Sequence, residues 1–392
     1  MTNRRQLLKT AIVAGAGTSL LRPESLFAAN TQAGETIYVN PATGRDGNAG
    51  TKAAPLKSLP EVARRVNAGT GTGACTAILA EGIYAVDETV LLSPKNRKFT
   101  KENRLTIRAE VLPDDPEWNI GCMPTLIHTM PVPPTWNGRP DPLGGAANGF
   151  LVETSHVTIQ GLKITGLPIV ETPKAGQKKR LYAISRFNRE LEDLEVAQCL
   201  FTSDKEVATT HVGVIAMGNN VNVHHCIFRG YIKDTVVYWS PSSTGHAMSN
   251  CIFQGMYSST VWTSGIADDF EYRNNVVDSA NYVWIYQSGV SSRADAGGRA
   301  EQLGVQVRPQ VTNKYKVIDS YFAHNKGLTG TGTGARIEFA SIDSSFLTMT
   351  GTKVTEQPIE FEYDSTKRNY LHPVAGSAAA KIGAGLFLKP GL

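Results

Sequence analysis

Seven stretches of the chain repeat one short alternation of apolar and polar positions. The clearest are Leu194-Glu-Val-Ala-Gln-Cys199-Leu-Phe201 and Val221-Asn-Val-His-His-Cys226-Ile-Phe228, followed by His246-Ala-Met-Ser-Asn-Cys251-Ile-Phe253 and Phe270-Glu-Tyr-Arg-Asn-Asn275-Val-Val277. Tyr315-Lys-Val-Ile-Asp-Ser320-Tyr-Phe322, Ala340-Ser-Ile-Asp-Ser-Ser345-Phe-Leu347 and Val157-Thr-Ile-Gln-Gly-Leu162-Lys-Ile164 fit the same template. Each reads in-out-in, two turn residues, then a second short strand. A two-residue period predicts strands with one face buried.

The anchors Cys199, Cys226, Cys251 and Asn275 are separated by 27, 25 and 24 residues, and Ser320 and Ser345 by 25. The 45 residues from Asn275 to Ser320 correspond to one turn of the repeat with an insertion. Short strands inside a period near 25 predict stacked coils, since one coil cannot bury its inner face alone. The expected fold is all-β: a right-handed parallel β-helix. Leucine-rich repeats would need Leu and Asn at fixed offsets, and a propeller would need longer antiparallel blades.

The anchor column Cys199, Cys226, Cys251, Asn275, Ser320 and Ser345 is expected to stack inside one bend, about 4.8 Å per coil. Its thiols read as inert packing. Cys75 and Cys122 lie outside this ladder, and a disulfide between them is open in an exported chain. Ser58 to Val66 predicts a helix capped by Ser58, with Leu59, Val62, Ala63 and Val66 on one face to close the N-terminal end. The expected domain runs from 30 to 392, with a capping segment at about 37–70, coils at about 75–356 and a C-terminal cap at about 357–392.

Composition adds little. Apolar residues at 41% and charged residues at 19% exclude a disordered chain, a collagen and a disulfide-dense mini-protein. The first 29 residues stand apart. Asn3-Arg4-Arg5-Gln6-Leu7-Leu8-Lys9, the apolar run Ala11 to Leu21 and Ala28-Ala29 read as an export signal. They resemble a bacterial twin-arginine signal, which implies a periplasmic or extracellular mature chain. Removing this segment takes its net +3 from the formal +4, and so leaves +1 by the same counting. That gives no support for nucleic-acid binding. No later segment is apolar enough to span a bilayer, and a monomer is expected.

Ile37-Tyr-Val-Asn-Pro41, Gly44-Arg-Asp46, Gly50-Thr51, Pro55-Leu56 and Ala80-Glu-Gly82-Ile-Tyr84 resemble the opening of exported β-helix proteins of the pectate-lyase-like superfamily. Ser377 to Gly385 resembles their closing segment. The resemblance spans the whole mature chain and implies a carbohydrate-active protein, with the substrate left open. Some members bind Ca²⁺. No calcium-loop or zinc spacing stands in this sequence, and no cofactor is expected. Gly330-Thr-Gly332-Thr-Gly334 reads as a flexible loop and lacks the Lys of a phosphate cradle.

Candidate chemistry follows from outward rows. Counting from the anchors puts Val212, Val237, Val261 and Val283 inward, with Gly213, Tyr238, Trp262 and Trp284 outward, flanked by Tyr282 and Tyr286. Outward aromatic rings suit sugar faces; the alternative is that loops cover this face. On the preceding strands, one outward column reads Ala197, His224, Ser249, Arg273, Ile318 and Asp343. The other reads Glu195, Asn222, Ala247, Glu271, Lys316 and Ser341. His211, Lys233, Asp234, His246, Asp268 and Asp269 fall in nearby bends. β-Elimination on a uronate needs a cation and a base, for which Arg273, Lys233, His224 and Tyr238 are candidates. Hydrolysis needs two carboxylates, for which Asp234, Asp268, Asp269 and Glu271 are candidates. A non-catalytic glycan-binding solenoid is the third reading. Two insertions are basic: Gly166 to Glu190, with Arg180, Arg186 and Arg189, and Gln287 to Gln310, with Arg293. They suit an anionic polysaccharide substrate. Leu112 to Gly149, with Trp118 and Trp136, is expected to wall the early coils.

Overall fold

Each coil turns through three short strands and passes to the next coil about 4.8 Å further on. The computed structural model describes residues 34–133, 135–136, 139–140, 145–169, 180–238, 243–264, 270–287, 315–333, 336–338 and 347–389. The proposed signal, Asp268, Asp269 and Arg293 lie outside them. Among the described residues there are three long sheets of ten, nine and ten strands. Their pairing is parallel except where Arg336–Glu338 and Leu167–Pro168 join antiparallel. The chain is a parallel β-helix.

The first sheet contains Val157–Gln160, Glu192–Ala197, Asn219–His224, Ala247–Ser249, Glu271–Arg273, Tyr315–Ile318 and Leu347–Thr350. The second contains Leu200–Ser203, Ile227–Gly230, Ile252–Gln254, Val276–Asp278, Tyr321–Ala323 and Lys353–Thr355. The third contains Arg180–Arg186, Ala208–Ala216, Ile232–Tyr238, Ser259–Ser264, Tyr282–Gln287 and Gly327–Thr333. The Gly-Thr stretch expected to be a loop is thus a strand as far as Thr333.

The bend between the first two sheets explains the repeat. Gly161, Gln198, His225, Asn250, Asn274, Asp319 and Gly351 each turn the chain there in the left-handed region, with φ from 46° to 76°. Gly pays no Cβ penalty in this conformation, and Asn, Asp and His tolerate it better than most residues. The next residue is the anchor. Cys199, Cys226 and Cys251 are fully buried and donate to carbonyls at their own bend, at 3.2–3.3 Å. Asn275 Oδ1 accepts from the Cys251 amide at 2.8 Å, and Ser320 Oγ accepts from the Asn275 amide at 3.1 Å. Burial pushes the Cys199 and Cys226 thiols well above their ordinary range, so they are inert. Thr352 takes the place in the ladder expected for Ser345, which lies outside the described residues, and its Oγ1 accepts from the Ser320 amide at 3.3 Å. Leu347–Thr350 pairs with Tyr315–Ile318, so Thr350 and Thr348 take the places expected for Asp343 and Ser341. Cys75 and Cys122 are free thiols, and the disulfide does not form.

Inside the coils, Phe201, Phe228 and Phe253 stack on successive turns with centroids 4.6 and 5.1 Å apart. Phe228→Ala removes the middle ring of a rigid column that cannot collapse around the gap. It is expected to cost about 3–5 kcal/mol, read as a lower urea-unfolding free energy.

The helix Leu59–Ala68 buries Leu59, Val62, Ala63 and Val66, and Ser58 Oγ accepts from the Glu61 amide at 3.3 Å. These side chains join the main core beside the first coil. The C-terminal segment does something different. Phe361, Leu371, Ala379 and Leu386 pack with Trp118 and Met123 over Leu200, Ile227, Ile252 and Val276, the outward row of the second sheet. It shields a flank, and Trp118 belongs to that shield rather than to a cleft wall. Burial also corrects the early basic insertion. Arg180 and Arg186 are strand residues, and Arg186 Nε donates to the Met217 carbonyl at 2.7 Å.

Candidate functional site

The third sheet bends midway along each strand, which leaves two consecutive residues facing the core. Ala183 and Ile184 form one such pair and Val283 and Trp284 another. Strict alternation therefore loses a step, and a one-residue slip reverses every side chain beyond it. The register pairs Val236 with Val261 and then Trp284, and pairs Val237 with Trp262 and then Ile285. Val261 and Val283 face the core as expected, whereas Val212 and Val237 belong to a separate outer cluster. Tyr238 and Trp284 are core residues, not a sugar-binding row. Tyr238 packs on Phe270 at 4.9 Å, and Trp284 stacks on Tyr315 at 5.1 Å. Trp262 alone of that row points outward, partly buried against the outer cluster. Tyr286 pairs with Thr263 in register.

The outward face of the third sheet is covered. Tyr182, Val212, Asp234, Ser259 and Tyr282 align across five strands, and all are buried. One position earlier, His211, Lys233, Ser258 and Asn281 occupy successive coils by the same register. His211, Lys233 and Asn281 are half-buried there. Lys233 Nζ stands 3.7 Å from Asp234 Oδ2. The His211 ring lies 5.7 Å from Tyr182. An imidazole, an ammonium, a buried carboxylate and hydroxyls thus share one edge of a covered sheet. Such an edge can bind an anionic sugar and exchange a proton with it.

The other predicted polar residues lie on the first sheet, facing a different direction. His224 and Arg273 are two coils apart, with Ser249 between them. His224 Nε2 meets Glu195 Oε1 at 3.1 Å, and its Nδ1 meets His225 Nδ1 at 3.0 Å. Thr158 donates to Glu195 Oε2 at 2.8 Å. The bond from His224 is the main cause holding Glu195 down at about 2, against its burial. Burial keeps His225 neutral, at about 4. Burial would raise the neighbouring Asp193, but hydrogen bonds from Arg104 and His156 outweigh it and hold the group low. These groups satisfy one another across adjacent coils and fasten the sheet. Arg273 pairs with Glu271 at 3.3 Å, both half-buried, an ordinary surface ion pair. His246 is buried, with Nε2 2.7 Å from Ser243 Oγ. Hence Arg273, Lys233, His224 and Tyr238 cannot converge on one substrate. Lys233 shares its edge instead with His211 and with Ser258 and Asn281. Counting from the anchors missed the last two, because the corners before the third sheet differ in length. Among the described residues, no group of three or more His, Cys, Asp or Glu side chains could hold a metal ion.

No family model matches this chain, and no curated protein matches it. Among solved structures, a rhamnogalacturonan lyase superposes with a TM-score of 0.52 at 12% identity, covering 90% of this chain and all of the other. A pectin methylesterase in complex with a hexasaccharide gives 0.47 at 9% identity, over 91% and 98% of the two chains. A GH136 lacto-N-biosidase from Eubacterium ramulus gives 0.42 at 13% identity, over 82% and 55%. The first of these likenesses agrees with the parallel β-helix read from the strand register. Among the described residues, no helix is long and apolar enough to cross a membrane.

Proposed function

We propose that this chain is a carbohydrate-active enzyme that cleaves an acidic polysaccharide by β-elimination at the outer edge of the third sheet. The observation that carries this reading is the placement of His211 and Lys233 on adjacent coils, with Asp234 buried beside the lysine. A rhamnogalacturonan lyase shares the fold, which supports this class of reaction. The charged and apolar start of the chain supports an exported site of action.

In this reading the Lys233 ammonium neutralises the uronate carboxylate, which makes the proton on the adjacent ring carbon more acidic. Asp234 orients that ammonium. His211, about 4.8 Å away along the helix axis, accepts the proton. The freed electron pair forms the ring C=C bond, the glycosidic C–O bond breaks, and water protonates the departing oxygen. Chain cleavage then produces an unsaturated uronate and a new reducing end in equal numbers.

The test follows absorbance near 235 nm, where about that wavelength reports the new double bond, together with reducing ends, on acidic and neutral polysaccharides. Both signals should rise together on an acidic substrate. Lys233→Ala and His211→Ala should each lower kcat/KM by about 10²–10⁴, with Lys233→Arg recovering part of the loss. Reducing ends without absorbance would replace this reading with hydrolysis. Binding without either product would leave a glycan-binding solenoid.

A further inference from the structure

The corner that leads from the second sheet into the third carries aromatic rings that the core does not use. Tyr231 and Tyr257 come from successive coils; Tyr231 directly follows the left-handed Gly230, and Tyr257 stands two residues after the left-handed Gly255. Their rings are 4.4 Å apart and tilted by 32°. Tyr257 keeps 45% of its surface exposed, although it stands one residue from the buried Ser258. Two residues before Tyr231, the Arg229 guanidinium lies over the ring of Tyr363 at 5.1 Å. Tyr363 is 56% exposed. The Tyr257 carbonyl is fixed by a hydrogen bond from Asn281 Nδ2.

Single exposed rings need no explanation. Here two tyrosine rings stand together in the short turns that carry Lys233 and Ser258, and two residues along the chain from Tyr231 a guanidinium is held over a third ring. Burial, with a contribution from Tyr257, raises the Tyr231 phenol to about 12. A tyrosine phenol is uncharged at physiological pH with or without that shift, so it does not repel an anion. Tyrosine faces pack on the C–H face of a pyranose, and an arginine held against a ring still presents N–H groups to a carboxylate.

We propose that Tyr231, Tyr257, Arg229 and Tyr363 form a glycan-stacking subsite that receives uronate-bearing sugar residues and leads the polysaccharide to the Lys233 edge. The inference rests on the proposed function for its substrate class, but its own content is binding. The subsite grips sugar rings outside the bond being cleaved, so it governs affinity rather than the chemical step.

Affinity electrophoresis of the full chain through gels containing polygalacturonate, alginate or neutral dextran tests this. At least one polyuronate should retard the wild-type chain, and dextran should not. Tyr257→Ala and Tyr231→Ala should each weaken that retardation about tenfold, while Tyr257→Phe keeps it. Arg229→Gln should weaken it with an unchanged circular dichroism spectrum. Tyrosine-to-alanine variants as strongly retarded as wild type would overturn the subsite, as would a wild-type chain held by neither polyuronate. The two proposals fail separately. A chain that binds through Tyr257 yet releases no product refutes the elimination alone. A chain that cleaves with an unchanged KM after Tyr257→Ala refutes the subsite alone.

Discussion

Deleting residues 357–392 should leave a chain that does not accumulate as a soluble monomer, although every strand of the coil remains. The segment packs Phe361, Leu371, Ala379 and Leu386 over Leu200, Ile227, Ile252 and Val276. Re-exposing four aliphatic side chains costs about 1.5–3 kcal/mol each. That sum is comparable to the whole stability of a typical domain, about 5–15 kcal/mol. The exposed row would also be a continuous apolar stripe on a sheet, a predicted aggregation surface. Polar ties go with it. Gln198 Nε2 donates to the Leu386 carbonyl at 2.7 Å, and Gln254 Nε2 to the Leu371 carbonyl at 3.0 Å. Both amides would lose buried partners. Soluble yield and size-exclusion profile check the deletion. Leu386→Ala gives a graded version, with an expected loss of about 2–5 kcal/mol in urea unfolding. A soluble, monodisperse deletion variant with an unchanged melting temperature would show that the segment is an appendage.

The second large effect is acid lability. Burial holds His128 at about 4, His246 at about 3 and His372 at about 4, so all three are neutral in the folded chain. His372 accepts the Leu386 amide at Nε2, at 3.0 Å, while its Nδ1 lies 3.0 Å from the Tyr370 carbonyl. Protonation would remove that acceptor at the centre of the C-terminal shield. The unfolded imidazole titrates near 6.5. Between about 6.5 and 4 the unfolded chain therefore binds protons that the folded chain refuses, and stability falls as pH falls. Above that window the contribution is fully present. Each group is worth on the order of 3 kcal/mol across the window. Glu195, held at about 2, continues the loss below its unfolded value, since its folded form favours the carboxylate. Urea midpoints from pH 8 to pH 4 should fall steeply below about 6.5. His372→Gln should flatten the slope by close to one proton even if the variant is less stable overall. A midpoint constant from pH 7 to 4.5 would contradict the assignment.

Much of this architecture is legible in the sequence because its determinants are local and repeated. The alternation around Cys199, Cys226, Cys251, Asn275 and Ser320 specifies two strands and the bend between them. The residue before each anchor turns the bend with a left-handed backbone, which His225, Asn250, Asn274 and Asp319 tolerate by type and which Gln198 also adopts. The helix with its Ser58 cap is equally local. The candidate site is less legible. His211, Lys233, Asp234 and Tyr282 lie on its edge as residues of the right chemical types. Tyr238 and Trp284 do not, because the bend within the third sheet adds one inward position that no composition signal marks.

The sequence by itself determined the coil, its period, its anchor ladder from Cys199 to Ser320 and its N-terminal helix, since each depends on residues at local, repeated offsets. Only the tertiary structure decided which face of the third sheet each aromatic occupies, because register across a bend depends on side-chain volume within the core. It also decided that the C-terminal segment lies along a flank, where Leu200, Ile227, Ile252 and Val276 form an apolar row on the second sheet. Last, it separated His224 and Arg273 from Lys233, because sheets that are neighbours along the chain face different directions in space.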